Sequence, residues 1–170
     1  MFGITERGDA GLDFTWIDKL HDLSGAIIIS KNLNDELIQH LINHKNKVIF
    51  HHTVTGYGAS SIEPNVPDVL FSIEQAGKLF NAGFPKEQYV LRIDPIIPMK
   101  FDSYDGIEIP LSVANIFLGM YGVKRIRFSF MDDYKHTRSR FKKAGINYPN
   151  FLSTFTCEQM NRFVSQLCLK

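Results

Sequence analysis

Residues 89–98 read YVLRIDPIIP, and this stretch decides both the fold class and the place where a site would lie. An apolar run of this kind is typical of a strand that is covered on both faces, and Pro95 is expected to end it after Ile93. Since residues i and i+2 of a strand point to the same face, Arg92 and Asp94 should lie side by side at its carboxyl end. Parallel α/β sheets bind ligands at this end of their strands. A charged pair is costly to bury without partners or a task, so the stretch predicts a site here.

Apolar runs of the same kind alternate with segments of helical periodicity along the chain. Further strands are predicted at residues 2–5, 25–30, 47–54 and 125–130. Helices are predicted over 14–23 and 110–121, from Asn34 as a cap, between Pro67 and Gly83, and from a capping box of Thr156 and Gln159. Because no hairpin signal interrupts this βα order, the pattern implies a parallel sheet with right-handed crossovers. About five units are too few for a closed eight-stranded barrel. An open or partial barrel and a doubly wound sheet both satisfy the pattern.

The composition limits the class of protein. The 170 residues fit one domain, residues 1–170, with enough length to bury a core. A formal net charge of +1 gives no steering toward nucleic acid or an anionic membrane. Two cysteines are too few for a disulfide framework. No apolar run approaches the ~20 residues of a membrane span, and the amino terminus lacks signal-peptide character. We therefore expect a cytoplasmic protein that has no membrane contact.

Polar or charged residues follow every predicted strand. Because the carboxyl ends of parallel strands meet at one edge of a sheet, they are candidates for a polar ligand site, with solvated loops as the alternative. The candidate ligand-binding residues are Glu6, Arg7, Lys31, Asn32, Thr55, Arg92, Arg127, Ser129 and Asp132. The lysine and arginines would hold negative charge. The candidate catalytic residues are Asp94 and Asp9, as a base or to orient a hydroxyl, and His51 and His136, to transfer a proton.

Other patterns near the strand ends qualify these candidates. His51 and His52 are consecutive in one strand and point to opposite faces, so one of them should pack under a helix. No HxH or HExxH spacing is present, and we predict no metal site. The GYG sequence at 56–58 lacks both phosphate-loop frames and should form a tight turn. The basic run 135–143 fits either a solvated face or a phosphate contact, and residues 99–109 form the longest predicted loop.

Four segments, taken in their order and spacing, resemble a known superfamily. They are IISKN at 28–32, TVTGYG at 53–58, IEPNVP at 62–67 and LRIDPIIP at 91–98. Together they resemble radical-SAM proteins of the spore photoproduct lyase and DNA-repair-photolyase-like group. Residues 7–9 and 128–137 look closer to an uncharacterised branch of that superfamily, whose members carry a cysteine cluster at the carboxyl terminus.

This resemblance implies a partial (β/α) barrel that binds S-adenosylmethionine and an iron–sulfur cluster at its strand ends. Such a cluster needs three cysteine thiolates held close together. The chain has no CxxxCxxC motif after the first strand, and its two cysteines, Cys157 and Cys168, are widely separated. We therefore expect neither the cluster nor conventional radical chemistry, while S-adenosylmethionine stays a candidate ligand.

The sequence supports three hypotheses on an α/β fold, a partial (β/α) barrel with a parallel sheet of about five or six βα units. The first is a cluster-less barrel that binds a small anionic or nucleotide-like ligand at its strand ends, with acid–base or nucleophilic catalysis. The second is a non-catalytic protein of phage or mobile-element type that sequesters a ligand or blocks a partner. The third, a role in nucleic-acid processing, is not favoured by the net charge and needs one basic surface, built from Arg125, Lys135, Arg138, Arg140, Lys142 and Lys143. The open edges of an incomplete barrel also predict a homodimer.

Overall fold

Five parallel strands form one sheet in the computed structural model, which describes residues 1–6, 8–97, 107–132, 134–147 and 157–168. The strands are β1 (Phe2–Ile4), β2 (Gly25–Ser30), β3 (Val48–Thr53), β4 (Tyr89–Ile96) and β5 (Ile126–Phe130). Their order in the sheet is the order in the chain, and the sheet curls into a half-barrel. The predicted α/β fold with a partial barrel is therefore confirmed, and the doubly wound alternative is wrong.

Helices connect successive strands or follow the last strand, and all of them except the helix at 135–143 contribute to the core on the outer face of the half-barrel. They are α1 (Trp16–Lys19), α2 (Asp35–Asn43), α3 (Val69–Asn81), α4 (Glu108–Tyr121), α5 (Lys135–Lys143) and α6 (Cys157–Cys168), with short 3-10 turns at Leu20–Asp22 and Lys86–Gln88. Within the described residues, no helix is both long and apolar enough to cross a membrane.

Local signals set the helix ends. The side chain of Asn34 accepts a hydrogen bond of 2.8 Å from the main-chain N–H of Leu37, as the predicted cap of α2 should. Asp68, the residue after Pro67, caps α3 by accepting from the N–H of Phe71 at 2.9 Å. Gly122 ends α4 with a φ of 64°, a left-handed conformation that favours glycine.

The register of the sheet separates an outer from an inner face. Residues paired across parallel strands point to the same side. Outer-face rows such as Ile28 with Phe50 and His52 with Leu91 are fully buried beneath the helices. The row of Thr53, Arg92 and Arg127 lies on the inner face. The inner face therefore carries polar groups toward the carboxyl ends of the strands.

Strand β4 continues past the predicted proline stop. It reaches Ile96 through a cis Asp94–Pro95 bond, and its pairing with β5 shifts register between Ile93 and Ile96. Such an irregularity in the ladder leaves a position where no N–H is needed, which is where a strand tolerates proline. The predicted end of the strand at Ile93 is therefore wrong, and Asp94 lies within the sheet.

Three further predictions about helices and loops either differ from the structure or lie mainly outside the described residues. The helix predicted over 14–23 forms only α1 and one 3-10 turn. The predicted loop 99–109 lies mainly outside the described residues, and α4 already begins at Glu108. The predicted capping box also lies outside them, since neither Thr156 nor the side chain of Gln159 is described, although α6 begins at Cys157.

Candidate functional site

Two adjoining cavities lie at the carboxyl ends of the strands. The first, of about 450 Å³, we call the inner cavity, and its polar lining includes Thr5, Glu6, Ser30, Lys31, Thr53 and Arg92. The second, of about 430 Å³, we call the α5 cavity, and its lining includes Lys31, Glu63, Asp94, Ser129, Asp132 and Arg140. Lys31 lines both. Residues from every strand end thus surround one divided space, as the sequence predicts.

Arg92 and Asp94 form the ion pair that their spacing predicts. The Arg92 guanidinium contacts a carboxylate oxygen of Asp94, and the Ser129 hydroxyl donates to the other oxygen. The two charged side chains are 26% and 19% exposed, so solvent screens the pair only in part. The Nε of Arg92 is buried and has no hydrogen-bond partner among the described residues. One buried donor of this arginine is therefore unpaired within the described part of the chain.

A second ion pair joins the ends of β2 and the loop after β3. Lys31 Nζ contacts one carboxylate oxygen of Glu63, and the Thr55 hydroxyl donates to the other. Glu63 was not among the predicted site residues. It lies in the IEPNVP segment that carries part of the resemblance, but no spacing marks it, because 32 positions separate it from Lys31. That segment was the one signal that could have identified Glu63.

The fold of the loop after β3 positions Glu63. Gly56 has a φ of 88°, and an added Cβ at Gly58 would overlap the carbonyl oxygen of Pro67. Gly58 also pairs with Glu63 in an isolated bridge. The Glu63 carbonyl accepts the N–H of Ala59 at 3.1 Å. The two glycines therefore serve a tight turn, as predicted, and the turn aims the Glu63 carboxylate at Lys31.

His51 lies on the inner face among cations. It is 6% exposed, and its Nδ1 has no hydrogen-bond partner among the described residues. Burial, and then the charges of Arg127 and Arg92, lower the pKa of His51 from 6.5 to about 4. The imidazole is therefore neutral at pH 7, and the surrounding cations disfavour a proton on it. Arg127 itself is exposed, and no described carboxylate lies within ion-pair distance of it.

Most of the chain matches the model of one protein family. Residues 18–169 match the family DUF1848, a domain of unknown function. The chain belongs to this family. No curated protein and no solved structure matches it. Because the match includes β2 through β5, the partial barrel and most of its strand ends are part of the DUF1848 domain.

Asp9 of this DUF1848 domain has a structural task. One of its carboxylate oxygens accepts from the Ser30 hydroxyl and from the Gly11 N–H at 2.8 Å, and the other accepts from the Lys31 N–H at 2.7 Å. These bonds join the loop after β1 to the end of β2. Asp9 lines the inner cavity, but a carboxylate held by three donors is poorly placed to act as a base, so its geometry favours anchoring over catalysis.

The remaining candidates are spread around the two cavities. Glu6 is exposed and lines the inner cavity, whereas Asp132 lines the α5 cavity, where the Tyr134 hydroxyl donates to it at 3.3 Å. The main-chain N–H of Asn32 donates a hydrogen bond of 2.8 Å to the Ser30 hydroxyl. Arg7 lies outside the described residues.

His136 lines neither of the two cavities, so the structure does not place this predicted proton-transfer residue with the other candidates. It is exposed and stacks on Tyr134 with ring centroids 5.4 Å apart. The α5 cavity is lined instead by Thr137, Arg140 and Phe141, one face of α5. His136 is the residue before Thr137 and is turned about 100° away around the helix.

The residues present do not fit a metal centre or the cluster of the radical-SAM proteins. Among the described residues, no group of three or more histidines, cysteines and carboxylates could hold a metal ion. Cys157 and Cys168 stand at opposite ends of α6, which separates them by about 16 Å of helix axis. The separation of the two cysteines along one helix does not fit an iron–sulfur cluster held by three thiolates.

Proposed function

We propose that this DUF1848 domain binds a small anionic, nucleotide-like ligand at the carboxyl ends of its strands. The observation that carries the proposal is the arrangement of His51, Arg92 and Arg127 on three neighbouring strands of the inner face. Arg127 has no counter-ion among the described residues. Burial and the charges of the two arginines disfavour a proton on the His51 ring, so the ring does not add a third positive charge. An anion beside these groups would lower the free energy of all three.

The dimensions of the site support a small molecule. Volumes of about 450 and 430 Å³ lie within the range of ligand pockets. The α5 cavity adds apolar side chains to its polar ones, namely Ile62, Ile97, Met131, Phe141 and Ile146. A ligand with a charged group and an apolar or aromatic part, as in a nucleotide, would use both kinds of surface.

Acid–base catalysis is part of the proposal. His51 is the candidate base, because it is neutral at pH 7 and its Nδ1 has no partner in the described part of the chain. Its pKa of about 4 makes it a weak base in the free protein, and an anion bound beside Arg92 and Arg127 would raise that pKa toward the range of a general base. Asp94, held by Arg92 and Ser129, would orient a hydroxyl of the ligand. The resemblance to radical-SAM barrels makes S-adenosylmethionine one ligand to test, and no reaction step depends on it.

Native mass spectrometry and calorimetric titration test the binding. The ligand panel holds S-adenosylmethionine, its breakdown products and the common nucleotides. We expect one or more to bind, and Arg127→Ala to weaken that binding at least about tenfold, the effect of losing a charged hydrogen bond. Lys124→Ala removes an equal charge at the amino end of β5 and should leave the affinity within about twofold.

The outcomes separate the hypotheses. If no panel member binds, or if Arg127→Ala binds as the unmodified protein does, the proposed anion site is wrong. A ligand that binds tightly and is recovered unchanged would favour the sequestering protein over the enzyme. The same spectra test the proposed homodimer, which rests on the two sheet edges at β1 and β5, each paired on one side only.

One observation favours a nucleic-acid role as a second candidate. Helix α5 brings five of the six basic residues named above onto nine consecutive positions, with no acidic residue among them. A phosphate backbone bound there would lose affinity steeply with added salt. A titration with single-stranded oligonucleotides between low and physiological salt tests this, and an affinity that is absent or independent of salt would exclude it.

A further inference from the structure

We infer that the ligand of this site is a zwitterion, with its anionic group in the inner cavity and its cationic group in the α5 cavity. The inference rests on the proposed function, since it names the ligand class of that same site. It comes from the direction in which the two ion pairs of the site lie.

Both ion pairs lie across the boundary between the cavities and point the same way. Their cations, Lys31 and Arg92, line the inner cavity. Their anions, Glu63 and Asp94, line the α5 cavity and are not part of the inner lining. Each pair is therefore a dipole with its positive end toward the inner cavity, although Lys31 also reaches the α5 side.

The other charges of the inner cavity leave this direction in place. Asp9 is acidic, but both of its carboxylate oxygens already accept hydrogen bonds, from the Ser30 hydroxyl and from the main-chain N–H groups of Gly11 and Lys31, and these donors stabilise its negative charge in place. Glu6 is exposed on the β1 side. On the opposite side, Arg127 adds a cation beside Arg92 in the register. The positive end of the site is therefore the Arg92 side of the inner cavity, with Arg127 next to that lining.

The α5 cavity has the opposite character. Asp132 adds a third carboxylate to those of Glu63 and Asp94. Its one cation besides Lys31, among the described residues, is Arg140, which is exposed on α5. Tyr134 and Phe141 also line the cavity. Aromatic rings beside carboxylates are a common setting for ammonium and sulfonium groups.

Partial burial makes this charge separation effective. The four side chains of the two ion pairs are between 13% and 30% exposed, so solvent screens them incompletely. A ligand with its anionic group in the inner cavity and its cationic group in the α5 cavity would be bound more tightly through both groups. A ligand that is negative at both ends would meet three carboxylates in the α5 cavity and be rejected.

Phosphocholine and its uncharged-head isostere, 3,3-dimethylbutyl phosphate, provide the test, with choline as the cation alone. The two phosphates share their size and differ in the positive charge. Isothermal titration should show phosphocholine binding at least about tenfold more tightly than either, which corresponds to about 1.4 kcal/mol. S-adenosylmethionine against S-adenosylhomocysteine tests the sulfonium charge alone, because both molecules keep the α-amino and carboxylate groups.

Two variants locate the effect. Asp132→Asn removes a carboxylate from the α5 cavity without breaking either ion pair, and should reduce the preference for phosphocholine to about threefold or less. Arg127→Ala should weaken both phosphates by the same factor and leave the preference unchanged. A preference that survives Asp132→Asn unaltered counts against the assigned cavity.

The result that overturns the inference differs from the result that overturns the proposed function. If anions bind but phosphocholine does not bind more tightly than 3,3-dimethylbutyl phosphate, the ligand is an anion and the proposed function stands. If choline binds as tightly as phosphocholine, the anionic half of the inference is wrong. If no anion binds at all, the proposed function and this inference are both wrong.

Discussion

At the scale of single residues, two consecutive histidines of β3 have opposite environments. His52 is fully buried on the outer face, where its Nδ1 lies 2.7 Å from the hydroxyl of Tyr89, and burial lowers its pKa to about 3. His51 faces the cations of the inner face, and its pKa is about 4. Because side chains alternate along a strand, the two histidines are expected to point to opposite faces of the sheet. Which one meets the site follows only from which face the helices cover.

The two lowered pKa values predict that acid destabilises the protein. In the unfolded chain both histidines take up a proton below about pH 6.5, whereas the folded protein excludes these protons until about pH 4 and 3. The free energy of unfolding should therefore fall as pH drops from about 6.5 to 4, by up to about 1.4 kcal/mol per pH unit for each histidine.

Urea unfolding between pH 7 and 5 measures this slope. His51→Asn should make the slope shallower by the contribution of about one bound proton. His136→Asn, a change at an exposed histidine, should leave the slope unchanged. An unchanged slope in His51→Asn would show that His51 does not exclude a proton in the folded state.

At the scale of elements, the loop after β3 brings a distant carboxylate into the site. Its turn depends on the absence of a side chain at Gly58, next to the carbonyl oxygen of Pro67. Through the bridge between Gly58 and Glu63, the same turn sets the position of the carboxylate that holds Lys31 and Thr55. One glycine therefore connects the shape of a loop with the charge pattern of the site.

Gly58→Ala should disrupt both the shape of this loop and the charge pattern of the site. The added methyl group overlaps main-chain atoms, so we expect a loss of about 1–3 kcal/mol in the free energy of unfolding and weaker binding of any ligand that contacts Lys31. Gly119→Ala is the matched control, because an added Cβ there meets nothing within 4 Å. In the interior of α4 it should be neutral or up to about 1 kcal/mol stabilising. Equal stability of the two variants would contradict this account of the turn.

At the scale of the whole molecule, helices cover one face of the half-barrel and leave the other to the site. At the β5 end this cover is α6, whose Phe163 is fully buried and packs on Phe128 and Phe130 with ring centroids 5.1 and 6.2 Å away. Arg127 and Ser129 alternate with these phenylalanines along β5 and so project from the other face. The packing of α6 therefore supports the strand that carries two site residues.

Phe163→Ala should lower the free energy of unfolding by about 3–5 kcal/mol, the usual effect of truncating a buried aromatic side chain. Val164, the next residue, is 40% exposed, and Val164→Ala should change stability by less than about 1 kcal/mol. Chemical denaturation of both variants checks this. If both changes have similar effects, α6 does not cover β5 in solution.

The sequence by itself determined the strands, the alternation of strand and helix, the cap at Asn34, and the pairing of Arg92 with Asp94. These features are local, because each depends on a periodicity or a spacing of a few residues. The same reasoning placed most of the site at the carboxyl ends of the strands. It was wrong about the end of β4, since the pairing of Ile96 with Phe130 carries the strand past Pro95.

The tertiary structure alone decided which of the candidates meet. Glu63 reaches Lys31 through a loop that folds back across 32 positions, and His136 is turned away by the angle of α5. Arg127 joins Arg92 and His51 through the register of β3, β4 and β5. Loop folding, helix rotation and strand register are set by packing between distant segments, so no local pattern encodes them. For that reason the common direction of the two ion pairs across the two cavities became visible only in the folded chain.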